Sequence, residues 1–477
     1  MPGVPTLTLR AQPPVFLSRS LVNLSKMNMQ SIEAVIAFPP ARRNPVRTLR
    51  AVIRNPIESW PSEVYDRPLV RAPLLGREYL FLMDPDLVRE VLVDKASSFD
   101  KGEIVQRVLG PALGQGILTA ENEFWRWQRR AAAPVFRHEK LQDFIPAMLE
   151  AAERTRQRWL ALPPEGQTDV AHEMMRTTFD IIVETMLSGS AGLDVGRVEQ
   201  AITDYLDATS WTIALTLLRA PDWVPHPGRK KARRARNYLR AETLRIVAKR
   251  RDPAEERKDL IALLLAARDP ETGRSMDDRE VADNLLTFIT AGHETTALAL
   301  TWAFYLLSQH PDVEAKVLEE ITAASGKGPV NAAHIPELVY TRQVISEALR
   351  LYPPVPLINR TATERVAVGE YVLEAGTPVY VPIYAIHRHR QLWSEPERFD
   401  PDRFAPEATR ARSRYAYMPF GAGPRICIGT SFAMLEAVAI LATLLPTFRL
   451  TAMREPTPKM RVTLRPSSGL PMTIERR

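Results

Sequence analysis

The stretch FGAGPRICIG, residues 420–429, holds the single cysteine of a 477-residue chain. Directly after Cys427 an apolar run begins, IGTSFAMLEAVAILATLL, residues 428–445. A lone cysteine is most often a small buried hydrophobe, and this one is badly placed for that role. Gly421 and Gly423 lack a Cβ, so the backbone there can turn sharply and approach a flat ligand closely. The apolar run has helical character, which puts Cys427 at a helix N-terminus, where the dipole and free N–H groups stabilise a thiolate. Arg425 offers a cation suited to a ligand carboxylate. A thiolate ringed by N–H donors is what an axial iron ligand requires.

Composition bounds the alternatives. Hydrophobic residues make up 45% and charged residues 25%, globular values that allow a large buried core. One cysteine excludes an internal disulfide, a four-cysteine zinc site and a self-contained iron–sulfur cluster. The net charge of +7 is diffuse and identifies no nucleic acid. No run approaches eighteen apolar residues, so no membrane span is expected. Residues 1–32 carry Arg10, Arg19 and Lys26 without an acid. That faintly resembles an organellar presequence, but the expectation is a flexible leader over 1–50 or an upstream start, with Met27 or Met29 the true beginning. The preference for Arg over Lys suggests a GC-rich bacterial genome, hence a cytoplasmic protein, with organellar import the minor alternative.

From residue 51 to 477 the chain reads as one mainly helical, α-rich α+β domain. Extended segments are expected in RPLVRAPLLGREYLFLMDP, in RVAVGEYVLEAGTPVYVP and in KMRVTLRPSSGLPMTI, with helical spacing in DLVREVLVDKAS. Helices are expected over about 122–160, 170–190, 195–217, 229–251 and 276–309. The last is apolar nearly all round and too often interrupted by Asp, Glu and His to be a membrane span, so it is expected to be buried on all sides. Its middle reads AGHETT, residues 291–296. A zinc-protease motif would need His at 297, which is Ala. Gly292 is expected to weaken packing, and a Thr hydroxyl to open the helix locally. The run GQGILT, 114–119, lacks the rest of a dinucleotide fingerprint and is read as a loop. His387 and His389 have too few companions for a metal site. The basic run GRKKARRAR, 228–236, is read as the solvated start of a helix.

The cysteine loop resembles the haem-binding signature of the cytochrome P450 superfamily at Phe420, Gly423, Arg425, Cys427 and Gly429. Other stretches follow the same resemblance in the family's order. In EALR, Glu347 and Arg350 share a helix face, and the family joins such a pair to an Arg from a loop like FDPDRF, here Arg403, with Arg398 the rival. In ENEFWRWQRR, Trp125 and Arg129 stand where the family binds haem propionates, and Arg360 occupies a further such position. Glu294 and Thr295 match the acid–alcohol pair that delivers protons for O–O cleavage, with Thr296 the fallback; Glu stands where Asp is commoner, and His389 where Asp is frequent.

The resemblance implies the P450 fold, a triangular helical body with small β-sheets, and haem b ligated by Cys427, with Gly421 also at the haem. It implies O2 as co-substrate and electrons from NAD(P)H through a ferredoxin or flavodoxin and its reductase. The reaction it implies is hydroxylation of a hydrophobic small molecule, such as a fatty acid, terpenoid or steroid, by a monomer. The wording leans toward bacterial fatty-acid hydroxylases and microsomal enzymes. The implied pocket residues are Ile104, Leu118, Leu285, Phe288, Ala291, Val355, Leu357, Ile358, Ser468 and Leu470. A peroxide-driven peroxygenase or isomerase, or a haem-binding sensor, is the alternative; neither has a use for the Glu294–Thr295 pair. With no flavin-type phosphate loop and no cluster cysteines in the sequence, electrons are expected from a separate protein.

Overall fold

A computed structural model describes residues 44–477 except 75, 190–191, 252–258, 270 and 327. The helix Asp278–Gln309 is the axis of the body. It starts in a capping box, in which Asp277 accepts from Glu280 N and Glu280 accepts from Asp277 N, satisfying two orphan donors. Because its sequence is apolar on nearly every side, most of it is covered: Val170–Leu187, Arg229–Arg250, Val339–Leu351 and Thr430–Leu444 all pack on it. Trp302 is fully buried in it and stacks on Tyr352 with ring centroids 4.0 Å apart.

Gly292 corrects one expectation. Rather than weakening the helix, it lets the neighbouring helix come close, since a Cβ there would lie 2.7 Å from Ile182 Cδ1. The adjacent polar groups are satisfied, with His293 Nδ1 on Ile289 O at 2.6 Å and the Thr178 hydroxyl donating to His293 O at 2.9 Å.

A five-stranded sheet flanks the helices in the order Leu69–Leu74, Arg77–Leu82, Pro378–Val381, Ile358–Ala362 and Phe99–Asp100. The first two form an antiparallel hairpin with Leu69 opposite Leu82. Arg77–Leu82 runs parallel to Pro378–Val381, and the remaining pairs are antiparallel. Near the C-terminus, Pro458–Met460 pairs with Leu464–Pro466. Pro471–Arg476 lies between Gly166–Asp169 and Phe448–Ala452.

Several expected elements are interrupted. The helix drawn over 122–160 is two, Asn122–Ala132 and His138–Leu160, parted by a 3-10 turn containing Pro134, which lacks an N–H to continue the ladder. The helix drawn over 195–217 breaks between Leu206 and Thr209. DLVREVLVDKAS passes from α-helix to a π turn at Glu90–Asp94. The helix Pro45–Arg54, capped by the Asn44 side chain and with Thr48 and Val52 buried, crosses the boundary drawn at residue 50; residues 1–43 lie outside the described part. Among the described residues no helix is long and apolar enough to cross a membrane.

Candidate active site

The cysteine loop is shaped by its glycines. Gly421 and Gly423 have φ of 75° and 72°, and a Cβ on Gly423 would sit 1.8 Å from Leu92 O. No other residue fits there. Gly429 precedes the helix Thr430–Leu444 and lies 3.8 Å, from an added Cβ, to Phe136. Cys427 N donates to Phe420 O at 2.9 Å, closing the loop on itself. The thiol is accessible yet ringed by protein atoms, and that burial pushes its pKa up against Gly429 N–H, the Thr430 hydroxyl and Arg129. The expected thiolate stabilisation by helix N–H groups therefore operates but does not prevail over desolvation in the protein alone.

Around this loop the structure gathers cations. Trp125 is buried, with the Arg129 guanidinium 5.9 Å and the Arg425 guanidinium 4.5 Å from its ring. Arg425 pairs with Glu121 and donates to Ala120 O at 3.1 Å. Arg360 donates to Asn359 O, and burial with Arg425 nearby holds its pKa down to about 10. Lys101, which the sequence reading missed, is buried and gives its ammonium to the carbonyls of Leu118 and Ala120 at 2.6 and 3.0 Å. Burial first, then Arg425, pull it down to about 7. Burial also lowers Arg129 and Arg425. Four buried or half-buried cations with Glu121 as the one ion-pair partner among the described residues make a site short of negative charge. Two ligand carboxylates would complete it, so these residues fit the haem propionates.

The facing wall is the long helix. Phe288 stacks on Phe136 at 5.8 Å, and Phe136 touches the cysteine loop. Ala291 and Thr295 continue the face of Phe288; in the mostly buried middle of the helix Ala291 is exposed and Thr295 partly so. The Thr295 hydroxyl donates to Ala291 O at 2.8 Å, and Thr296 to Gly292 O at 3.3 Å. Glu294 is buried and turned the other way. It accepts from the Thr463 hydroxyl at 2.5 Å and pairs with Arg465. Neither partner was singled out from sequence.

Behind the loop, Glu347 and Arg350 are fully buried and joined by two hydrogen bonds of 2.6 and 2.7 Å. Arg350 also donates to the carbonyls of His387, Pro396 and Arg398. Arg403 approaches Glu347 at 3.5 Å, whereas the Arg398 side chain turns out to Glu395. His387 links this network to the cysteine segment, accepting from Met418 N at 3.0 Å; burial lowers its pKa to about 3, so it is neutral. His389 contacts Arg67 O, and among the described residues no group of three potential metal ligands occurs.

The expected pocket residues do not all converge. Ile104 and Leu357 line a cavity of about 100 Å³ with Trp60, Phe81, Leu217 and Asn359. Ile358 lies beside Gly421. Leu118 and Val355 are exposed, and Leu285 is buried in the main core. Ser468 and Leu470 are misplaced. Leu470 is buried against Val170 and Asp169, with its N–H on Asp169 Oδ1 and its carbonyl taking Val170 N. Pairing of the following strand with Gly166–Asp169 draws this turn away. The segment that does reach the long helix is the preceding hairpin, through Thr463 and Leu464. The loop 114–119 also packs there, with Gln115 N and Ile117 N on the Asp283 and Asn284 side chains. Its Gly116 is needed because a Cβ would meet Thr287 Oγ1 at 2.3 Å.

The family model described as Cytochrome P450 matches residues 57–473. Cyclooctat-9-en-7-ol 5-monooxygenase of Streptomyces melanosporofaciens is 33% identical over 403 residues, covering 84% of this chain and 86% of the relative. Pentalenene oxygenase of Streptomyces avermitilis is 33% identical over 371 residues, covering 77% and 80%. Cytochrome P450 4A6 of Oryctolagus cuniculus is 30% identical over 425 residues, covering 84% and 82%.

Proposed function

The chain belongs to the cytochrome P450 family, and on that premise we propose how its own residues carry out the reaction. The enzyme is a haem-thiolate monooxygenase: bound haem supplies the iron at which O2 is activated, with electrons from NAD(P)H arriving through a redox partner. Cys427 would supply its thiolate to that iron. Trp125, Arg129, Arg360 and Arg425, joined by Lys101, would hold its two carboxylates, and Phe420, Gly421 and Gly429 shape the loop. Thr295, on the accessible face, hands protons on, and Glu294 is the acid behind it, poised by Arg465 and Thr463. Glu347, Arg350 and Arg403 lock the segment behind the cysteine.

The observation that carries this reading is the coincidence of an accessible cysteine with a buried cluster short of negative charge. The substrate is a hydrophobic small molecule, a terpenoid, fatty acid or steroid-like compound. The apolar lining supplied by Ile104, Leu217, Leu357, Trp60 and Phe81 supports that class, and the relatives' names, which include pentalenene and cyclooctat-9-en-7-ol, are in keeping with it. The same reading takes residues 51–477, with the helix from Pro45, as one haem domain. It takes the enzyme as a cytoplasmic monomer served by a ferredoxin or flavodoxin and its reductase.

The reduced protein under carbon monoxide is expected to show the thiolate-type absorption band, and a band that stays elsewhere overturns the assignment. Cys427→Ser or Cys427→Ala is expected to abolish hydroxylation and lower haem retention, since neither side chain supplies a thiolate. Turnover with an electron-transfer chain should exceed turnover with peroxide. A panel of apolar compounds, scored by the spin-state shift each causes, identifies the substrate class.

A further inference from the structure

Four glutamates are buried around the long helix, and their surroundings differ: Glu314 is paired with Arg477. Glu347 is held by Arg350 and Arg403, and Glu294 by Arg465 and Thr463. Glu436, on the helix Thr430–Leu444 that follows the cysteine loop, is 0% exposed, and neither of its carboxyl oxygens has a hydrogen-bond donor. Its neighbours Leu435, Ala437, Val438, Ala439 and Ile440 are buried and apolar. Its helix packs against the long helix, His138–Leu160, Val339–Leu351 and Ile335–Glu337. The fully buried charged side chains on those elements, Glu347 and Arg350, are engaged with each other, and His293 is bonded to its own helix.

The polar group beside Glu436 is the Thr296 hydroxyl. Thr296 meets Gly292 O at 3.3 Å without a well-aligned hydrogen bond to either Glu436 oxygen, and its influence, which favours the ionised carboxylate, is smaller than that of burial. An ionised carboxylate is acceptor only, and at Glu436 it would be an unpaired charge in a dry interior, which is strongly disfavoured. A carboxylic acid has the missing donor. In agreement, burial holds the Glu436 carboxyl well above the usual carboxylate range.

We propose that Glu436 is a neutral carboxylic acid in the working enzyme, that its O–H donates to Thr296 Oγ1, and that it is a positioning residue for the Gly292–Thr296 turn. The chain of contacts then runs from Glu436 to the Thr296 hydroxyl and on to the Gly292 carbonyl, fixing the turn that also carries Thr295. Keeping the acid neutral also leaves no second anion on the helix that follows the cysteine. The effect on oxygenation rests on Thr295 acting as proposed above; the protonation state and the Thr296 contact do not.

The test begins with infrared spectra of haem-free and haem-loaded protein. A protonated-carboxyl C=O band is expected from mildly acidic to mildly alkaline pH, lost in Glu436→Gln and shifted in Thr296→Val. No such band at neutral pH, or a band indifferent to Thr296→Val, overturns the proposal. In turnover, Glu436→Gln keeps an N–H donor and should retain product per electron, while Glu436→Leu should lose it several-fold with the carbon monoxide spectrum intact. A Gln variant as impaired as the Leu variant overturns the positioning role, and the infrared comparison decides even if Glu436→Leu fails to fold. If Thr295→Ala leaves product per electron unchanged while the band behaves as stated, the proton-delivery reading fails and the Glu436 assignment stands.

Discussion

Lys101 gives its ammonium to two backbone carbonyls at 2.6 and 3.0 Å in a setting where an anion is missing. With the proton on, it is a buried cation near Arg425 and Arg360; burial, then Arg425, lower it to about 7, against about 10.4 for a free lysine. Between those values the unfolded chain binds more protons than the folded one, so stability rises with pH across the window. The haem-free protein is therefore expected to melt at higher temperature as pH increases from about 7 toward about 10. Lys101→Met should flatten that rise, and parallel melting curves for the two proteins would refute it. Loading haem should flatten it too, because carboxylates favour the charged lysine. Thr295→Ala, in turn, should let electrons be consumed while peroxide replaces hydroxylated product. Unchanged product per electron would pass the role to Thr296. At this scale the sequence told most where spacing is local. Cys427, Arg425, Trp125 and Arg129 are named by short patterns, and the structure brings them together. Lys101, Arg465 and Thr463 meet their partners across 16 to 171 residues of chain, a separation that carries no periodic signal.

The Glu347–Arg350 pair acts on whole elements, because it fixes the helix Val339–Leu351 to the segment around residues 395–403. Glu347 takes Asp400 N at 2.9 Å and Arg403 at 3.5 Å, so one carboxylate organises two elements. Glu347→Gln would leave the Arg350 cation buried without its counter-charge. That change is expected to cost about 3–5 kcal/mol, read as a lowered denaturation midpoint and weakened haem retention. Arg398→Ala should shift the midpoint by no more than about 0.5 kcal/mol, because only the Arg398 carbonyl is used while its side chain sits exposed on Glu395. Equal losses in the two variants would exchange the roles given to Arg398 and Arg403. The long helix was legible because 3.6-residue periodicity fails in an informative way, apolar on nearly every side. The breaks at Pro134 and between Leu206 and Thr209, and the displacement of Ser468 and Leu470, were not. The displacement depends on which strand captures residues 471–476, and that is set by tertiary pairing with Gly166–Asp169, whereas the helix breaks are short local turns inside an otherwise helical pattern.

For the molecule as a whole, the open question is where a partner delivers electrons. Phe136 touches the cysteine loop, so the segment between the helices Asn122–Ala132 and His138–Leu160 marks the cysteine side of the body. Arg126, Arg130, Arg137 and Lys140 are exposed there. Arg126 pairs with Glu123, and Lys140 stands 3.5 Å from Asp143; exposed pairs of this kind hold their members weakly, so they remain able to exchange partners. Arg129 is set apart by its place against Trp125. Electrostatic steering by an exposed basic face chiefly raises the encounter rate with an acidic protein and is damped by salt. Replacing Arg130 and Arg137 together by Glu is therefore expected to slow reduction by an acidic ferredoxin or flavodoxin about tenfold or more at low ionic strength and to flatten its salt dependence. The substrate-induced spin-state shift should be unchanged, because neither side chain lines the cavity beside Ile104 and Leu357. Stopped-flow reduction measured at several salt concentrations checks this. If the doubly reversed variant is reduced as fast as the native enzyme at low salt, this face is ordinary solvated surface and the partner docks elsewhere.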